Sequence, residues 1–152
     1  MIRFIPGFQH SESCRAVREF LEQTDEGELF EAYQVAEDVL VKKGRLFDIV
    51  TAEAQSTNCF TKSYGRFVEG SGSIIGNDLA IDNDQELLPQ LKAKKLRFFS
   101  PREMLNLHGF PEHYSFPNDV SNLQAYKLIG NSLSVTVVSE LVRYLLLGQE
   151  LQ

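Results

Sequence analysis

The chain of 152 residues carries 15 Lys and Arg against 21 Asp and Glu, a formal net charge of −6. This acidic balance argues against nucleic-acid binding driven by the charge of the whole chain, and the local basic clusters at 42–45 and 92–102 read more simply as solvated helix surfaces. No apolar run approaches the roughly 18 residues of a membrane span, and residues 1–10 lack the apolar core of a signal peptide. The two cysteines, Cys14 and Cys59, lack the spacing of metal ligands. We therefore expect an intracellular protein, cytoplasmic and/or nuclear, with no membrane segment and no metal.

The first third of the chain predicts a lead-in followed by two helices. Residues 1–12 have no hydrophobic periodicity and are expected to be poorly ordered. The first helix opens at Ser13, residues 24–28 form an acidic loop, and the second helix ends near Gly44. Their apolar faces are Val17, Phe20 and Leu21 in the first helix and Val35, Val39 and Leu40 in the second.

The middle of the chain predicts short strands. Residues 45–51 are β-branched and apolar, and 66–69 and 73–75 flank a Gly-Ser-Gly turn typical of a hairpin. Residues 77–85 are acidic and polar and predict a flexible loop. A short helix over 86–95 is expected to break at Pro89.

Three helices are predicted in the last third. In "RFFSPREMLNLHGFP", Ser100 is an N-cap, Pro101 follows it, and Glu103 completes a capping box. Ser121 and Gln124 suggest a second capping box for a helix over 122–129. The last helix, 133–147, has apolar residues every four positions: Leu133, Val137, Leu141 and Leu145, with Val138, Val142 and Leu146 beside them.

The junction between the last two helices, "LIGNSLSVTVV", contains a Gly-Asn-Ser sequence. Gly130 is expected to relieve the backbone where one helix ends, which leaves Asn131 and Ser132 at the N-terminus of the next. Unpaired N–H groups there can receive a carboxylate from a ligand. The physical chemistry alone favours the simpler interpretation, that Ser132 caps the helix.

Three segments together resemble the cytosine-5 methyltransferases. "LIGNSLSVTVV" is similar to the family's last motif, and "RFFSPREMLNLHGFP" is similar to the motif before it. "CFTKSYGRFVEGSGS", with "LFDIVT" before it, resembles the target-recognition region of the branch that methylates a cytosine in the tRNA anticodon loop. The resemblance covers about residues 17–147.

The resemblance implies a fold, a cofactor and a substrate. The fold is α+β: a target-recognition region over 13–96 with short strands, and over 97–148 the C-terminal helices of a Rossmann-like, S-adenosylmethionine-dependent α/β methyltransferase domain. Arg97, Ser100, Pro101 and Glu103 are implied to be structural. The implied cofactor residues are Asn131, Ser132 and Leu133. The implied contacts with tRNA are Cys59, Phe60, Thr61 and Lys62 in the recognition region and Lys127 before the cofactor motif.

Several parts of the family pattern are missing from this chain. The family's nucleophile is a cysteine in a Pro-Cys pair, because a thiolate must attack the target cytosine, and neither Cys14 nor Cys59 follows a proline. Cys59 is better explained as a buried, inert thiol. The Glu-Asn-Val and Phe-x-Gly-x-Gly motifs are absent as well. The chain therefore resembles only the C-terminal part of such an enzyme, and we predict no catalytic residue in it and no activity for it alone.

Without its N-terminal catalytic portion, the last helix lacks a partner for its apolar face. Seven aliphatic side chains at roughly 1.5–3 kcal/mol of burial each predict an exposed apolar patch, self-association or marginal stability. Three other functions stay open: a non-catalytic tRNA-binding or regulatory module, a fragment of a DNA cytosine-5 methyltransferase, and a helix-turn-helix DNA reader over 100–128.

Overall fold

A short parallel sheet joins two segments that are distant in the sequence. The computed structural model describes residues 14–77 and 87–147. In it, β1 (Ile49–Val50) pairs with β2 (Ile74–Ile75), with Ile49 opposite Ile74 and Val50 opposite Ile75. The predicted hairpin is wrong, because 66–69 is not a strand and β2 takes its partner from 49–50 instead.

The helices of the described residues are two 3₁₀ turns and six α-helices. They are a 3₁₀ turn over Val17–Phe20, α1 (Glu26–Tyr33), α2 (Glu37–Lys43), a 3₁₀ turn over Gly44–Leu46, α3 (Leu87–Ala93), α4 (Pro101–Leu107), α5 (Asn122–Ile129) and α6 (Val135–Leu147). The expected α+β fold class is confirmed. The predicted lead-in and most of the predicted loop over 77–85 lie outside the described residues.

The N-terminal helices begin at other places than expected. The loop predicted over 24–28 is limited to 24–25, because Asp25 caps α1 by accepting from the N–H groups of Gly27 (2.8 Å) and Glu28 (3.2 Å). Within the described residues, the helix predicted from Ser13 is a single 3₁₀ turn. Pro89 does not break α3, since it lies in the first turn, where its missing N–H would have had no helical partner.

Residues 96–99 connect the sheet to the N-terminal helices. The N–H groups of Arg97 and Ile75 each donate to the other residue's carbonyl at 3.0 Å. On the opposite side, Phe98 N–H donates to Tyr33 C=O (2.8 Å) and Val35 N–H donates to Leu96 C=O (3.0 Å). This 96–99 segment is therefore hydrogen-bonded on both edges, like a central strand.

The two predicted capping boxes are confirmed. Ser100 Oγ accepts from Glu103 N–H at 3.1 Å, and the Glu103 carboxylate accepts from Ser100 N–H at 2.9 Å. Ser121 and Gln124 form the same reciprocal pair at the start of α5. Residues 108–121 separate α4 from α5, whereas a helix-turn-helix uses a turn of about 3–4 residues. The helix-turn-helix hypothesis is therefore wrong.

One apolar cluster draws on both predicted parts of the chain. Its buried members are Val17, Val50, Phe60, Tyr64, Ile75, Phe99, Met104, Leu105, Tyr126 and Ile129. A second cluster joins α2, β2 and α3 through Val35, Leu40, Val68, Ile74, Leu91 and Leu96. The division into 13–96 and 97–148 stays a prediction, and the first cluster crosses it.

Helix α6 leaves its apolar side chains uncovered. Val137, Leu141 and Leu145 are 57%, 58% and 65% exposed. The helix is attached at its first turn, where Val135 N–H donates to His108 C=O at 2.7 Å. The predicted exposure of the apolar face is thus confirmed. Among the helices of 14–77 and 87–147, none combines the length and apolarity needed to cross a bilayer.

Candidate functional site

Residues 58–73, here called the recognition segment, form a loop whose two ends are tied together. Asn58 N–H donates to the Ser73 hydroxyl oxygen at 2.7 Å. Thr61 N–H donates to Ser71 C=O at 2.9 Å. Because its ends are fixed, the segment can hold exposed side chains in a defined position.

Phe60 supports the segment from below. Its side chain is 4% exposed, and its ring meets Tyr64 and Phe99 edge-on at centroid distances of 5.0 Å and 5.3 Å. Such edge-to-face pairs stabilise by about 0.5–1.5 kcal/mol beyond the area they bury. The expectation that the Phe60 side chain faces a substrate is therefore corrected, because it belongs to the core.

Two tyrosine hydroxyls attach the site to the 96–99 segment. Tyr64 OH donates to Ser73 C=O (2.8 Å) and accepts from Phe99 N–H (2.9 Å). Tyr126 OH donates to Phe99 C=O at 2.7 Å. Burial raises the pKa of both phenols above the ordinary value, so both stay protonated and able to donate. Both polar groups of the Phe99 backbone are thereby satisfied.

The neighbours of Phe60 lie at the surface. Cys59 and Lys62 are exposed and Thr61 is half-buried. The prediction that Cys59 is buried is wrong, because its side chain lies at the exposed edge of the segment and does not enter the core. Cys59, Thr61 and Lys62 are therefore accessible to a large ligand.

Gly130 brings the recognition segment against the α5–α6 junction. A Cβ at this position would lie 2.2 Å from Thr61 C and 2.3 Å from Lys62 N. Its φ of −67° is ordinary helical backbone, so the expected conformational role of this glycine is wrong. What requires glycine is the close approach of two backbones. Lys127, exposed on α5, lies three residues before this contact, about one helical turn away.

The start of α6 is closed by the chain itself. Val135 N–H donates to His108 C=O, and Val137 N–H donates to Ser134 Oγ at 3.4 Å. Ser132 Oγ instead donates back to Ile129 C=O at 2.6 Å. The cap of α6 is therefore Ser134 and not Ser132. Two of the first three N–H groups of α6 are occupied, which leaves the helix end little capacity to receive a carboxylate.

The junction still offers accessible side chains. Asn131 is exposed, Leu133 is 72% exposed, and Ser132 is half-buried. The Asn131 amide carries both donors and an acceptor. The junction therefore offers a ligand the polar amide of Asn131 and the apolar side chain of Leu133. Both residues lie just before helix α6, whose apolar face is exposed.

A buried ion pair fixes the residues below the site. Arg97 donates from Nη1 and Nη2 to the two carboxylate oxygens of Glu103, at 2.7 Å and 2.9 Å, and Glu103 is fully buried. The same carboxylate accepts from the N–H groups of Ser100 and Glu22. These contacts fit the structural role expected for Arg97, Ser100, Pro101 and Glu103.

The candidate residues form a surface and not a cavity. Two clefts of about 410 Å³ each lie elsewhere in the described part of the chain, one beside β1 and β2 and one beside α4. Neither is lined by the residues predicted to bind RNA or cofactor. An extended surface suits a macromolecule better than it suits an isolated small ligand.

Two features of this site have no local signature in the sequence. The contact of Gly130 with Thr61 joins residues almost seventy positions apart. The tyrosine hydrogen bonds on Phe99 likewise depend on the tertiary fold. The sequences around Tyr64 and Tyr126 contain no local pattern that distinguishes these tyrosines from ordinary core residues.

Solved structures first identify the class of protein. S. pombe Dnmt2 methyltransferase superposes with a TM-score of 0.76 at 37% identity, covering 93% of this chain and 43% of that one. Entamoeba histolytica methyltransferase EhMeth gives a TM-score of 0.78 at 32% identity, covering 91% and 42%. The fold is thus one found within methyltransferases.

The family follows from the sequence comparison. The model of the C-5 cytosine-specific DNA methylases matches residues 9–146, and the chain belongs to this family. A DNA (cytosine-5)-methyltransferase of Dictyostelium discoideum is 43% identical over 96% of this chain and 40% of its own length. The tRNA (cytosine(38)-C(5))-methyltransferase of Mus musculus is 37% identical over 90% of this chain and 34% of its own length. The chain thus spans well under half the length of these relatives, and the expected family membership is confirmed.

Proposed function

We propose that this chain is the substrate-recognition and C-terminal part of an S-adenosylmethionine-dependent enzyme that methylates C5 of a cytosine in the anticodon loop of tRNA. The observation that carries the proposal is the contact of Gly130 with the Thr61–Lys62 backbone. The contact supports the proposal, because the recognition segment and the α5–α6 junction, for which RNA and cofactor binding are proposed, lie side by side. A methyl transfer needs both ligands at one place.

The RNA surface in this proposal consists of Cys59, Thr61, Lys62 and Lys127. Both lysines are exposed, and each can neutralise a phosphate despite the net charge of −6. Phe60 acts from the core by fixing the backbone on either side of it. The RNA surface therefore depends on a preformed loop, whose ordering is complete before RNA arrives.

The cofactor residues in this proposal are Asn131, Ser132 and Leu133. Asn131 supplies hydrogen-bonding groups, Leu133 supplies an apolar contact, and the Ser132 hydroxyl stabilises the end of α5. Bound S-adenosylmethionine would supply the methyl group. These three residues form one edge of a pocket, and the remaining walls would come from the catalytic portion that this chain lacks.

The uncovered face of α6 is the proposed docking surface for that catalytic portion. Exposed members include Val137, Leu141, Leu145 and Leu146, each at least 57% exposed. At roughly 1.5–3 kcal/mol for each fully buried aliphatic side chain, covering this face provides a large driving force for association. A second copy of the chain is the competing occupant, and self-association is the alternative outcome. Alone, the chain is proposed to be inactive, because it contributes no Pro-Cys nucleophile.

The setting proposed for this function is intracellular, cytoplasmic or nuclear. Cys14 and Cys59 are both free and exposed, which suits a reducing compartment.

Complementation tests the proposal. The N-terminal remainder of the Dictyostelium relative is mixed with this chain, and transfer of labelled methyl groups to tRNA is measured. Activity on tRNA from the mixture, and none from either part alone, is the expected result. Methyl transfer by this chain alone, or a mixture without activity although the two parts form a stable complex, contradicts the proposal.

DNA is the second candidate substrate, because the Dictyostelium relative is named as a DNA methyltransferase. The same mixture is therefore offered duplex DNA of matched length. Activity on DNA and none on tRNA would replace the proposed substrate.

Direct binding tests the third possibility, a non-catalytic tRNA-binding or regulatory module. Lys62→Glu should weaken salt-dependent tRNA binding by this chain, whereas Lys92→Glu should not. Lys92 is an exposed lysine that pairs with Glu37 in the first turn of α2, at the opposite end of that helix from Lys43. Binding that is retained without any activity in the complementation assay would favour the module.

A further inference from the structure

Phe67 is an exposed aromatic side chain in the recognition segment. Its side chain is 57% exposed, whereas the next residue, Val68, is 5% exposed and packs in the second apolar cluster. A single exposed apolar residue is common at protein surfaces. Its attachment and its neighbours are what distinguish this one.

The backbone on both sides of the Phe67 ring is fixed. Phe67 N–H donates to Ser63 C=O at 3.0 Å, and Phe67 C=O accepts from the Ser71 hydroxyl. Val68 is anchored in the core directly after it. The ring is thus presented to solvent from a rigid support, so a flat ligand that stacks on it would have little backbone entropy to overcome.

One cationic group lies beside the ring, and two more occur in the recognition segment. The Lys43 ammonium, at the end of α2, lies 6.0 Å from the ring centroid, at the outer limit of a cation–π contact. Arg66 precedes Phe67 and is exposed, and Lys62 begins the same turn. Glu69 is the acidic residue of the segment. Within the recognition segment itself, two positive charges against one negative charge give a net positive charge in an otherwise acidic chain.

We propose that Phe67 is a stacking platform for an unpaired base of the RNA substrate, with Lys43 and Arg66 placed to meet the adjoining phosphates. The inference rests on the proposed function in taking RNA as the ligand of this segment, and it adds a residue and a mode of recognition to it. An aromatic ring beside basic side chains is the arrangement that binds single-stranded nucleic acid. The bases of a duplex are stacked on one another, so the ligand must offer an unpaired nucleotide.

The absence of tryptophan from the sequence allows a direct test. The Phe67→Trp variant of the full chain carries one tryptophan, whose fluorescence is quenched when a base stacks on it. The probes are an RNA hairpin with an unpaired loop and a fully paired RNA duplex of equal length. We expect quenching by the hairpin and not by the duplex.

Val41→Trp is the matched control. Val41 is 62% exposed on α2, two positions from Lys43 and therefore on a different face of the helix. Its tryptophan should not be quenched by the hairpin at concentrations that saturate the protein.

Affinity measurements complete the test. Phe67→Ala should weaken hairpin binding by roughly 5- to 150-fold, the cost of one lost stacked base, while Phe67→Tyr should bind like the unchanged chain. Because the ring is exposed, the melting temperature should not change. Two results together would overturn the platform: Phe67→Ala binds the hairpin with unaltered affinity, and Phe67→Trp shows no quenching. If Lys62→Glu still weakens binding, the proposed function stays intact. A chain that binds no hairpin at any salt concentration would overturn the platform, and activity of the complemented mixture on tRNA decides the proposed function separately.

Discussion

Replacing Gly130 by alanine tests the contact that joins the two halves of the candidate site. The new Cβ would lie 2.2 Å from Thr61 C and 2.4 Å from Thr61 O, where ordinary contacts begin at about 3.4 Å. The recognition segment and α5 must therefore separate by about 1 Å. The obstacle is backbone, anchored through buried Phe60 and Tyr64, so it cannot rotate away as a flexible side chain would.

Two opposing terms set the expected magnitude. Overpacking of this kind costs about 1–3 kcal/mol. Gly130 has helical φ and ψ values, however, and alanine in such a conformation stabilises by about 0.4–1 kcal/mol through the unfolded state. The free energy of unfolding should thus fall by up to about 2.6 kcal/mol, and the melting temperature by up to about 10 °C.

Urea denaturation followed by circular dichroism measures the stability, and a filter-binding assay measures tRNA affinity in parallel. Affinity should fall as well, because displacement of the Thr61–Lys62 peptide moves the proposed phosphate contact. Leu128→Ala, at a position that is 54% exposed on the same helix, is the control and should change stability by less than about 0.5 kcal/mol. A Gly130→Ala variant that is more stable than the original chain would refute the reasoning, because the stabilisation through the unfolded state would then exceed the cost of the clash.

The other predictions concern the core and α6. Glu103→Gln should lower the free energy of unfolding by about 3–5 kcal/mol, because it leaves the nearly buried Arg97 guanidinium without a carboxylate, whereas Lys92→Gln at an exposed pair should cost about 0–1 kcal/mol in the same urea titration. Tyr126→Phe should cost about 1–3 kcal/mol, because the carbonyl that its hydroxyl binds stays buried without a donor. Burial raises the pKa of Tyr126, so the unfolded state loses this proton first: stability should be constant below about pH 10, fall above it, and fall less steeply in Tyr126→Phe. Leu141→Lys should reduce both the binding of a hydrophobic dye and any self-association, and an unchanged dye signal would contradict the assignment of the α6 face as the exposed apolar surface.

The correctly predicted parts of the fold are determined by interactions between residues close together in the sequence. The capping boxes at Ser100 and Ser121 operate over three positions, so a local pattern specifies them. The apolar periodicity of α6 and the exposure of its face were also predictable, because the sequence lacks the motifs of the catalytic portion expected to cover that face. Family membership followed from three short motifs in the right order.

The errors concern partners that are distant in the sequence. Residues 66–69 have the composition of a strand. In the structure, Val68 is buried in the second cluster, Phe67 is exposed after a turn, and neither residue pairs with a strand. Each observed strand is two residues long and pairs with the other across more than twenty residues, which leaves no periodicity to detect. Gly130 is a further example: the Thr61 backbone disfavours an alanine there, and this partner is too distant in the sequence to leave a pattern around the glycine.

The double attachment of Phe99 also affects how the chain folds during its synthesis. The amide of Phe99 is satisfied by Tyr64 and its carbonyl by Tyr126, so the same residue needs partners on both sides of it in the sequence. When only the residues up to α4 have left the ribosome, the Phe99 carbonyl has no Tyr126 hydroxyl to bind, and the first apolar cluster lacks Ile129. The nascent chain must therefore wait for α5 before its core closes, whereas α6 emerges afterwards with its apolar face still free.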